Sequence, residues 1–409
     1  MKRLIGYTAA LCLLAFTVGC GGVTSTGTLA YISNSTGTGF TVFTVNTDGT
    51  LTKSSISPQN TPASPKVLQF SANGKWAYFL DNGGSKIYAY TRAGNGTLAT
   101  EIDAYPLTGG PNASSLVVAP NSTFLYVALP ATKELSIFSI DQSTGILSSV
   151  GSPLQIGYAI TQLVMAPGGN LLMGLAGVYP ADASGVSQQT VVTWTLNSSS
   201  GVATQAATQP VGTAPSYLAL SANGSYAYVL DAQAVTTVTV PANGATPAYT
   251  YSTPNIYGFS VGSNGVLTQM AGSPFNENPD SNGNYPTKPV AGATTNDNRY
   301  FFVANQGTHN ISAFKISTTS GELSEVLGSV SIVNGISTST ASPFDCGVSD
   351  GCNTPAFVSV PAGNNAMYVL DTTANKIFQF RIDQNTGKLR QQSPAFVSAE
   401  GGPTWITIR

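Results

Sequence analysis

Few residues in this chain could carry out acid–base chemistry. His309 is the only histidine, so a Ser-His-Asp arrangement would have to use it. Asp81, Asp231 and Asp371 each follow a Tyr-x-Leu pattern and therefore occupy equivalent positions. Carboxylates grouped in this way can bind a cation or exchange protons with a substrate, but aspartates at strand ends also cap turns. We predict His309, Asp371 and Asp81 as candidate catalytic residues and Asp231 as a ligand-binding residue, with turn capping as the alternative.

The first twenty residues have the order of a secretory signal. Lys2 and Arg3 precede an apolar stretch too short to remain as a membrane span, and Gly19-Cys20 follows it. This resembles a bacterial lipoprotein signal, in which Cys20 becomes the lipidated first residue. We predict a signal peptide over 1–20, a flexible tether over 21–27 and an exported protein of the cell envelope, periplasmic or at the cell surface.

Two cysteines remain in the predicted folded part. Cys346 and Cys352 stand six positions apart in the segment DCGVSDGC. In an exported protein this spacing predicts a local disulfide. Since no pair of histidines accompanies them, we predict neither a zinc site nor another metal site, and no cofactor.

The composition is that of a β protein with many turns. Charged residues make up 8% of the chain, and glycine (43), tyrosine (18) and phenylalanine (17) are abundant. Apolar residues come in short runs, as in short strands joined by polar turns. Without Lys2 and Arg3 the chain has 14 basic and 18 acidic residues, so its overall charge attracts neither nucleic acid nor anionic lipid. We therefore predict membrane contact through the lipid anchor only.

One short turn motif, polar-polar-Gly-x-apolar, recurs seven times. Its glycines are Gly49, Gly96, Gly145, Gly201, Gly265, Gly321 and Gly387. An alternating strand precedes each turn, and upstream of that lies another strand centred, in most units, on tyrosine. Each unit thus has four strands, which we name A to D in chain order. The first unit begins at strand B, and the C-terminal segment 403–409 supplies the missing strand A. This predicts an all-β, seven-bladed β-propeller over 28–409, a single domain closed by its own ends and expected to be a monomer.

The spacing between these glycines is uneven because four segments are inserted. They cover 177–189, 232–255, 272–288 and 329–354, and are predicted as B–C or D–A connections. Those connections leave a four-stranded antiparallel blade at one face of the disc, which we call the loop face. The A–B and C–D turns leave at the opposite face, the turn face. The loop face is therefore the predicted functional surface, and its loops, rich in Tyr, Pro, Asn and Ser, suit a small molecule, a glycan or a protein.

The repeat FLYVALPATKELSIFSIDQSTGILSSVGSPLQIG (124–157) resembles the lactonase-type seven-bladed propellers, which include 6-phosphogluconolactonases, carboxymuconate cyclases and YVTN-repeat surface proteins. The segment ANQGTHNISAFKI (304–316) is similar to that family's Asn-Arg-Gly-His segment. The resemblance implies a propeller and carries over Asn305, Gly307 and His309. Gln306 stands where the family has arginine, and Lys66 and Lys288 are the only other cations near the predicted site. We predict Asn305, Gln306, Lys66 and Lys288 as ligand-binding residues.

Two functions remain open at this stage. The departures from the family's cationic residues favour a non-catalytic surface module that binds a ligand or partner through the loop face. The retained segment 305–309 favours a divergent extracytoplasmic lactonase that hydrolyses a neutral or weakly charged lactone.

Overall fold

Seven antiparallel sheets of four or five strands follow one another along the chain. The structure is a computed structural model that describes residues 27–108, 112–177, 189–240, 249–277, 285–326, 330–333, 336–339 and 342–409. Each sheet is one blade, and within each blade the strands pair in the order A-B-C-D. The predicted seven-bladed propeller is confirmed.

The strands are numbered in chain order and grouped by blade. Blade 1 contains β1 (Leu29–Asn34), β2 (Phe40–Val45), β3 (Leu51–Lys53) and β33 (Pro403–Ile408). Blade 2 contains β4 (Pro65–Phe70), β5 (Trp76–Asp81), β6 (Lys86–Arg92) and β7 (Leu98–Pro106). Blade 3 contains β8 (Ser115–Val118), β9 (Phe124–Leu129), β10 (Glu134–Ile140), β11 (Leu147–Ser149) and β12 (Leu154–Gln155). Blade 4 contains β13 (Gln162–Met165), β14 (Leu171–Ala176), β15 (Thr190–Leu196) and β16 (Ala203–Pro210).

The remaining three blades include the longest insertions. Blade 5 contains β17 (Pro215–Leu220), β18 (Tyr226–Val240), β19 (Tyr249–Val261), β20 (Leu267–Gln269) and β21 (Phe275–Asn276). Blade 6 contains β22 (Pro289–Thr294), β23 (Tyr300–Asn305), β24 (Asn310–Ile316), β25 (Leu323–Glu325) and β28 (Phe344–Asp345), with the hairpin β26 (Val330–Val333) and β27 (Ile336–Ser339). Blade 7 contains β29 (Pro355–Ser359), β30 (Ala366–Asp371), β31 (Lys376–Ile382) and β32 (Leu389–Ser398), and a 3-10 helix (Val348–Asp350) precedes it.

The two ends of the described chain close the ring. Strand β33 pairs antiparallel with β1, for example Tyr31 with Thr407 and Ile32 with Ile406. Arg409 and Leu29 also exchange backbone hydrogen bonds in both directions. The predicted completion of blade 1 by the C-terminal strand is therefore confirmed, and this pairing covers the edge that each end would otherwise expose.

The recurring tyrosine and the recurring glycine are partners. In five blades the central tyrosine of strand B is buried and donates its hydroxyl to the carbonyl of a motif glycine in the C–D turn of the next blade. The pairs are Tyr31–Gly96 (2.5 Å), Tyr78–Gly145 (2.9 Å), Tyr126–Gly201 (2.9 Å), Tyr228–Gly321 (2.8 Å) and Tyr368–Gly49 (2.8 Å). Because each bond joins consecutive blades, the repeat motif holds the ring together as well as shaping its turns.

The outer strand is interrupted in several blades at a Ser-Pro step. In blades 1, 5 and 6 the serine hydroxyl accepts a hydrogen bond from strand C, replacing the missing ladder bond. The pairs are Ser57 with the amide of Val42, Ser273 with that of Gly258, and Ser342 with that of Ala313, at 2.8–3.0 Å. Substitution of a side-chain acceptor for a backbone acceptor keeps the strand C amide satisfied where the D strand bulges.

Two of the predicted insertions differ from simple loop-face connections. In blade 6, β25 and β28 both pair with β24, so the hairpin β26–β27 interrupts strand D at the outer edge of the blade, and the D–A connection begins only after Asp345. In blade 5, the insertion lengthens strands β18 and β19 into one long hairpin whose tip, 241–248, lies outside the described residues. A repeating ladder extends readily because each added pair forms the same backbone bonds. Most of the first insertion, 178–188, also lies outside the described residues.

Among the described residues, no helix has both the length and the apolar character needed to cross a membrane.

Candidate functional site

The B–C turn of blade 6 holds the segment on which the enzymatic prediction depends. His309 lies in this turn with a left-handed φ of 54°, and its ring Nδ1 is buried without a hydrogen-bond partner. The carbonyl of His309 accepts a hydrogen bond from the amide of Cys346, 3.2 Å away. The turn and the disulfide loop are thus joined through their backbones.

Asn305, predicted as a ligand-binding residue, is buried at the centre of a polar network and is not exposed to solvent. Its side chain is fully buried, and Nδ2 donates to Asn310 Oδ1 (3.0 Å) and to Ser312 Oγ (2.9 Å). Gln306 is partly exposed and Lys288 is exposed. The two residues are joined by a hydrogen bond from the backbone amide of Gln306 to the carbonyl of Lys288 (3.0 Å). Of the predicted ligand-binding residues in this blade, Gln306 and Lys288 are the ones that solvent reaches.

Glu277 completes this network and was not predicted from the sequence. It follows β21 of blade 5, is 2% exposed, and accepts a hydrogen bond from Ser312 Oγ (2.8 Å) across the interface with blade 6. Its Oε1 has no partner, and neither does Oδ1 of Asn305. Burial raises the pKa of the Glu277 carboxyl to about 8, which hydrogen bonding from Ser312 opposes and the charge of Glu325 reinforces. No local sequence signal marks Glu277, since its neighbours FNENPDSNG have the composition of an exposed loop.

The three aspartates are held by backbone amides. Asp371 accepts hydrogen bonds from the amides of Asn353 (2.6 Å), Thr354 (2.7 Å) and Ala374 (2.9 Å). Burial alone would raise the pKa of Asp371, but these hydrogen bonds bring it below its ordinary value. Asp231 accepts from the amides of Thr213 and Ala214.

Asp81 binds the turn that follows it in the same way. It accepts from the amides of Ser85 (2.8 Å) and Lys86 (2.6 Å). All three aspartates lie opposite a proline that begins strand A: Pro65 with Asp81, Pro215 with Asp231 and Pro355 with Asp371. Asn305 lies opposite Pro289 in the same way. Asn305 and the three aspartates therefore occupy equivalent positions at the loop-face ends of their B strands.

Lys66 is bonded to the segment that leads into blade 3. Its Nζ donates to the carbonyl of Ala113 at 3.1 Å. Burial lowers the pKa of Lys66, and the charge of Asp81 offsets part of that effect. The predicted site residues are therefore spread over blades 2, 5, 6 and 7, and no hydrogen bond within the described chain joins His309 to Asp81, Asp231 or Asp371.

A ring of seven A-strand residues surrounds the channel near the loop face. Each pairs with the residue one position before the end of strand B or its equivalent, and the seven are Trp405, Val67, Ser115, Gln162, Tyr217, Ala291 and Phe357. On one side the polar members link neighbouring strands: Ser115 accepts from the amide of Leu163, and Gln162 exchanges two hydrogen bonds with the backbone of Leu218.

The other side of this ring is aromatic. The rings of Phe357 and Trp405 lie 4.6 Å apart, and Tyr217 meets Phe357 edge-on at 6.3 Å. Tyr217 belongs to blade 5 and Phe357 to blade 7, and they meet because blade 6 offers only Ala291 at this level. Burial raises the pKa of Tyr217 to about 12, although Gln162 opposes the shift by hydrogen bonding. Tyr217 and Trp405 are partly exposed as whole residues.

The predicted disulfide is confirmed. Cys346 and Cys352 are bonded, with Cα atoms 5.9 Å apart and both side chains fully buried. The loop between them contains the 3-10 helix, and its Asp350 is tied to blade 7 through the side chains of Lys376 and Gln391. The disulfide thus fixes the D–A connection beside the His309 turn.

Two segments have the Gly-x-Ser-x-Gly spacing of a nucleophile turn. Neither segment contains a residue that we predicted for the site. Ser260 lies within β19 and donates to the carbonyl of Thr268, so it is part of a sheet. Ser349 is exposed on the 3-10 helix of the disulfide loop. Neither segment forms the strand–turn–helix of a nucleophile elbow. Among the described residues, no group of three or more His, Cys, Asp or Glu side chains is placed to hold a metal ion.

No protein-family model matches the sequence, and no curated protein matches it either. Several solved structures match the fold of this chain. A candidate 6-phosphogluconolactonase from Bacteroides uniformis has 13% identity and a TM-score of 0.66, covering 93% of this chain and 99% of its own. A second, from Bacteroides fragilis, has 15% identity and a TM-score of 0.65, covering 95% and 99%.

A periplasmic gluconolactonase of Pseudomonas aeruginosa has 15% identity and a TM-score of 0.62, covering 93% of this chain and 98% of its own. At this identity the likeness concerns the fold. The chain is a seven-bladed β-propeller whose structural neighbours are 6-phosphogluconolactonase-like propellers.

Proposed function

We propose that this protein is an exported, lipid-anchored propeller that binds a neutral or weakly charged cyclic ligand, such as a sugar or lactone, at the loop-face mouth of its channel. The observation that carries the proposal is the aromatic half of the channel ring, where Tyr217, Phe357 and Trp405 come from three blades. Aromatic faces beside convergent polar groups are the usual lining of small-molecule sites.

The charges near this mouth favour an uncharged ligand. Lys66 is engaged with the Ala113 carbonyl, and the aspartates of the loop face are engaged with backbone amides. A phosphorylated sugar would need free cationic donors, and only Lys288 is exposed among the predicted ones.

The binding test uses the protein's own fluorescence. Purified residues 21–409 would be titrated with neutral lactones and saccharides while the tryptophan emission, to which Trp405 contributes together with Trp76 and Trp194, and the thermal midpoint are recorded. Tyr217→Leu and Phe357→Leu should abolish the response, and Phe396→Leu, an aromatic of the outer strand β32, should keep it. Equal responses in all four proteins would exclude this site.

The export and the anchor are part of the proposal. The order of residues 1–20 supports them, as does a periplasmic structural neighbour. Mass spectrometry of the protein from a bacterial host should find a diacylglyceryl group on Cys20. A free Cys20 thiol at the mature N-terminus would show that the chain is exported without an anchor.

The alternative is a divergent lactonase, which His309 favours because its buried Nδ1 is free to take part in a proton transfer. The test is hydrolysis of neutral lactones by the wild type and by His309→Ala, Ser349→Ala and Glu277→Gln, each checked by thermal melting. Asp371→Ala and Asp81→Ala are less informative, since loss of these carboxylates leaves buried amides without acceptors. Activity lost in a variant that melts like the wild type would replace the binding proposal with the enzymatic one.

A further inference from the structure

The C–D turn of blade 7 carries a concentration of positive charge that the proposed ligand site does not use. Arg381, Lys388 and Arg390 line a hollow on the turn face together with Asn365 and Gln384. Arg381 of β31 lies directly opposite Arg390 of β32, and both side chains are exposed. Like charges directly opposite each other on adjacent strands destabilise a sheet unless something neutralises them.

Two nearby carboxylates offset part of this charge through space without forming an ion pair with either arginine. Asp48 accepts hydrogen bonds from the amide and hydroxyl of Thr50 (2.9 and 2.7 Å), and Asp383 accepts from the amides of its own turn. These hydrogen bonds lower the pKa of both carboxyls. The charge of Arg381 also helps to lower the pKa of Asp48, and that of Lys388 helps to lower the pKa of Asp383, which lines the same hollow. In the part of the chain that the structure describes, neither guanidinium has a hydrogen-bonded or ion-pair partner. Two open guanidinium groups side by side match the oxygens of phosphate groups.

The predicted tether, 21–27, ends next to this hollow. Gly27, the first described residue, lines a second hollow of the turn face together with Asn365 and Arg409. Asn365 therefore belongs to both hollows. Six residues lie between Cys20 and Gly27. A fully extended chain over those seven residue-to-residue steps spans about 25 Å at most. An acyl group on Cys20 would hold the turn face, not the loop face, toward the bilayer.

We propose that the turn face at blade 7 rests on the anionic phosphate headgroups of the membrane that carries the anchor, through Arg381, Lys388 and Arg390. The placement of this face next to the membrane rests on the proposed lipid anchor, whereas the charge pattern of the face does not. After Cys20 the chain has more acidic than basic residues, 18 against 14, so its net charge does not favour binding to anionic lipid and the proposed contact depends on this local group. The contact would direct the loop face, with its channel mouth, away from the lipid.

The test uses non-acylated residues 21–409, so it does not depend on Cys20. Sedimentation with vesicles of phosphatidylcholine containing 30% phosphatidylglycerol would be compared with pure phosphatidylcholine at low ionic strength. Arg381→Gln/Arg390→Gln should lower the partition coefficient on the order of tenfold or more. Lys86→Gln/Lys133→Gln, two lysines of the loop face with the same total charge change, should leave it unchanged.

The expected result is salt-sensitive binding to the anionic vesicles alone, lost only in the arginine pair. Equal losses in both double variants would overturn the proposal, because net charge would then explain the binding. Wild-type protein that does not distinguish the two vesicle types would also overturn it. Thermal melting should show that both variants fold, since Arg381 and Arg390 are exposed and glutamine keeps part of their stems. The anchor is tested separately by mass spectrometry, so the two failures are distinguishable.

Discussion

Ser312 of blade 6 donates a hydrogen bond to Glu277 of blade 5 at 2.8 Å, while the second carboxyl oxygen of Glu277 is buried without a partner. Asn305 has an unpartnered Oδ1 in the same network. A proton on Glu277 would turn one of these acceptors into a donor. The network is therefore best satisfied when Glu277 is neutral.

This arrangement predicts that stability falls as the solution becomes alkaline. The folded pKa of Glu277, about 8, lies above its ordinary value of 4.5, so the folded protein binds more protons than the unfolded chain between these values. The free energy of unfolding should decrease with rising pH across that interval, at most about 1.4 kcal/mol per pH unit, and level off above about pH 8. Urea unfolding at several pH values measures this slope.

Glu277→Gln should remove that slope, because its amide can donate and accept without titrating. The variant should be more stable than the wild type at pH 9. Glu134→Gln, which changes a partly exposed glutamate, serves as the control and should keep the wild-type profile. A Glu277→Gln variant with the wild-type slope would show that another group is responsible.

Asp371 predicts the opposite pH dependence. Its folded pKa lies below the ordinary value, so its contribution is present above that value and is lost as pH falls through the folded pKa. Asp371→Asn should cost about 1–3 kcal/mol at neutral pH, because four backbone amides lose a charged acceptor. Asp103→Asn, at an exposed position of β7, should cost much less. Chemical unfolding of both variants at pH 7 and pH 3 checks the difference, which should shrink at the lower pH.

Much of the fold could be predicted from the sequence because its signals are local and repeated. The seven motif glycines mark C–D turns that need positive φ, and all seven have φ between 73° and 92°. The fragments at the two ends predicted the pairing of β33 with β1. What could not be predicted was the partner of each motif, since the Tyr78–Gly145 bond joins residues 67 positions apart.

The candidate site was harder to predict for the same physical reason. The channel ring takes one residue from each blade, and the meeting of Tyr217 with Phe357 depends on the small Ala291 between them in the ring. Burial of Glu277 depends on Ser312 in another blade. The aspartates were noticed because they repeat, whereas their hydrogen-bond partners are fixed by the path of loops with no repeating pattern.

The disulfide predicts that its loss affects only the neighbouring part of the fold. Closing a loop as short as Cys346–Cys352 contributes about 2 kcal/mol in the chain-entropy account. Cys346→Ser/Cys352→Ser should therefore lower the thermal midpoint by a few degrees and leave the propeller folded. Hydrogen exchange should increase in 345–354 and in the 306–309 turn, which is bonded to Cys346, and remain unchanged in blades 2 and 3. Increased exchange throughout the ring would contradict this local role.

The bonds between tyrosine and glycine predict paired effects in two blades. Tyr78→Phe removes the donor to the buried carbonyl of Gly145 and should cost about 1 kcal/mol or somewhat more. Blade 6 has Phe302 at the equivalent position, fully buried, with Gly387 in the C–D turn of the next blade. Phe302→Tyr should therefore supply the missing bond and be neutral or stabilising, even though it places a hydroxyl in the core. Urea unfolding of both variants measures the two changes. Equal destabilisation by the two substitutions would mean that these hydroxyls fill space without joining the blades.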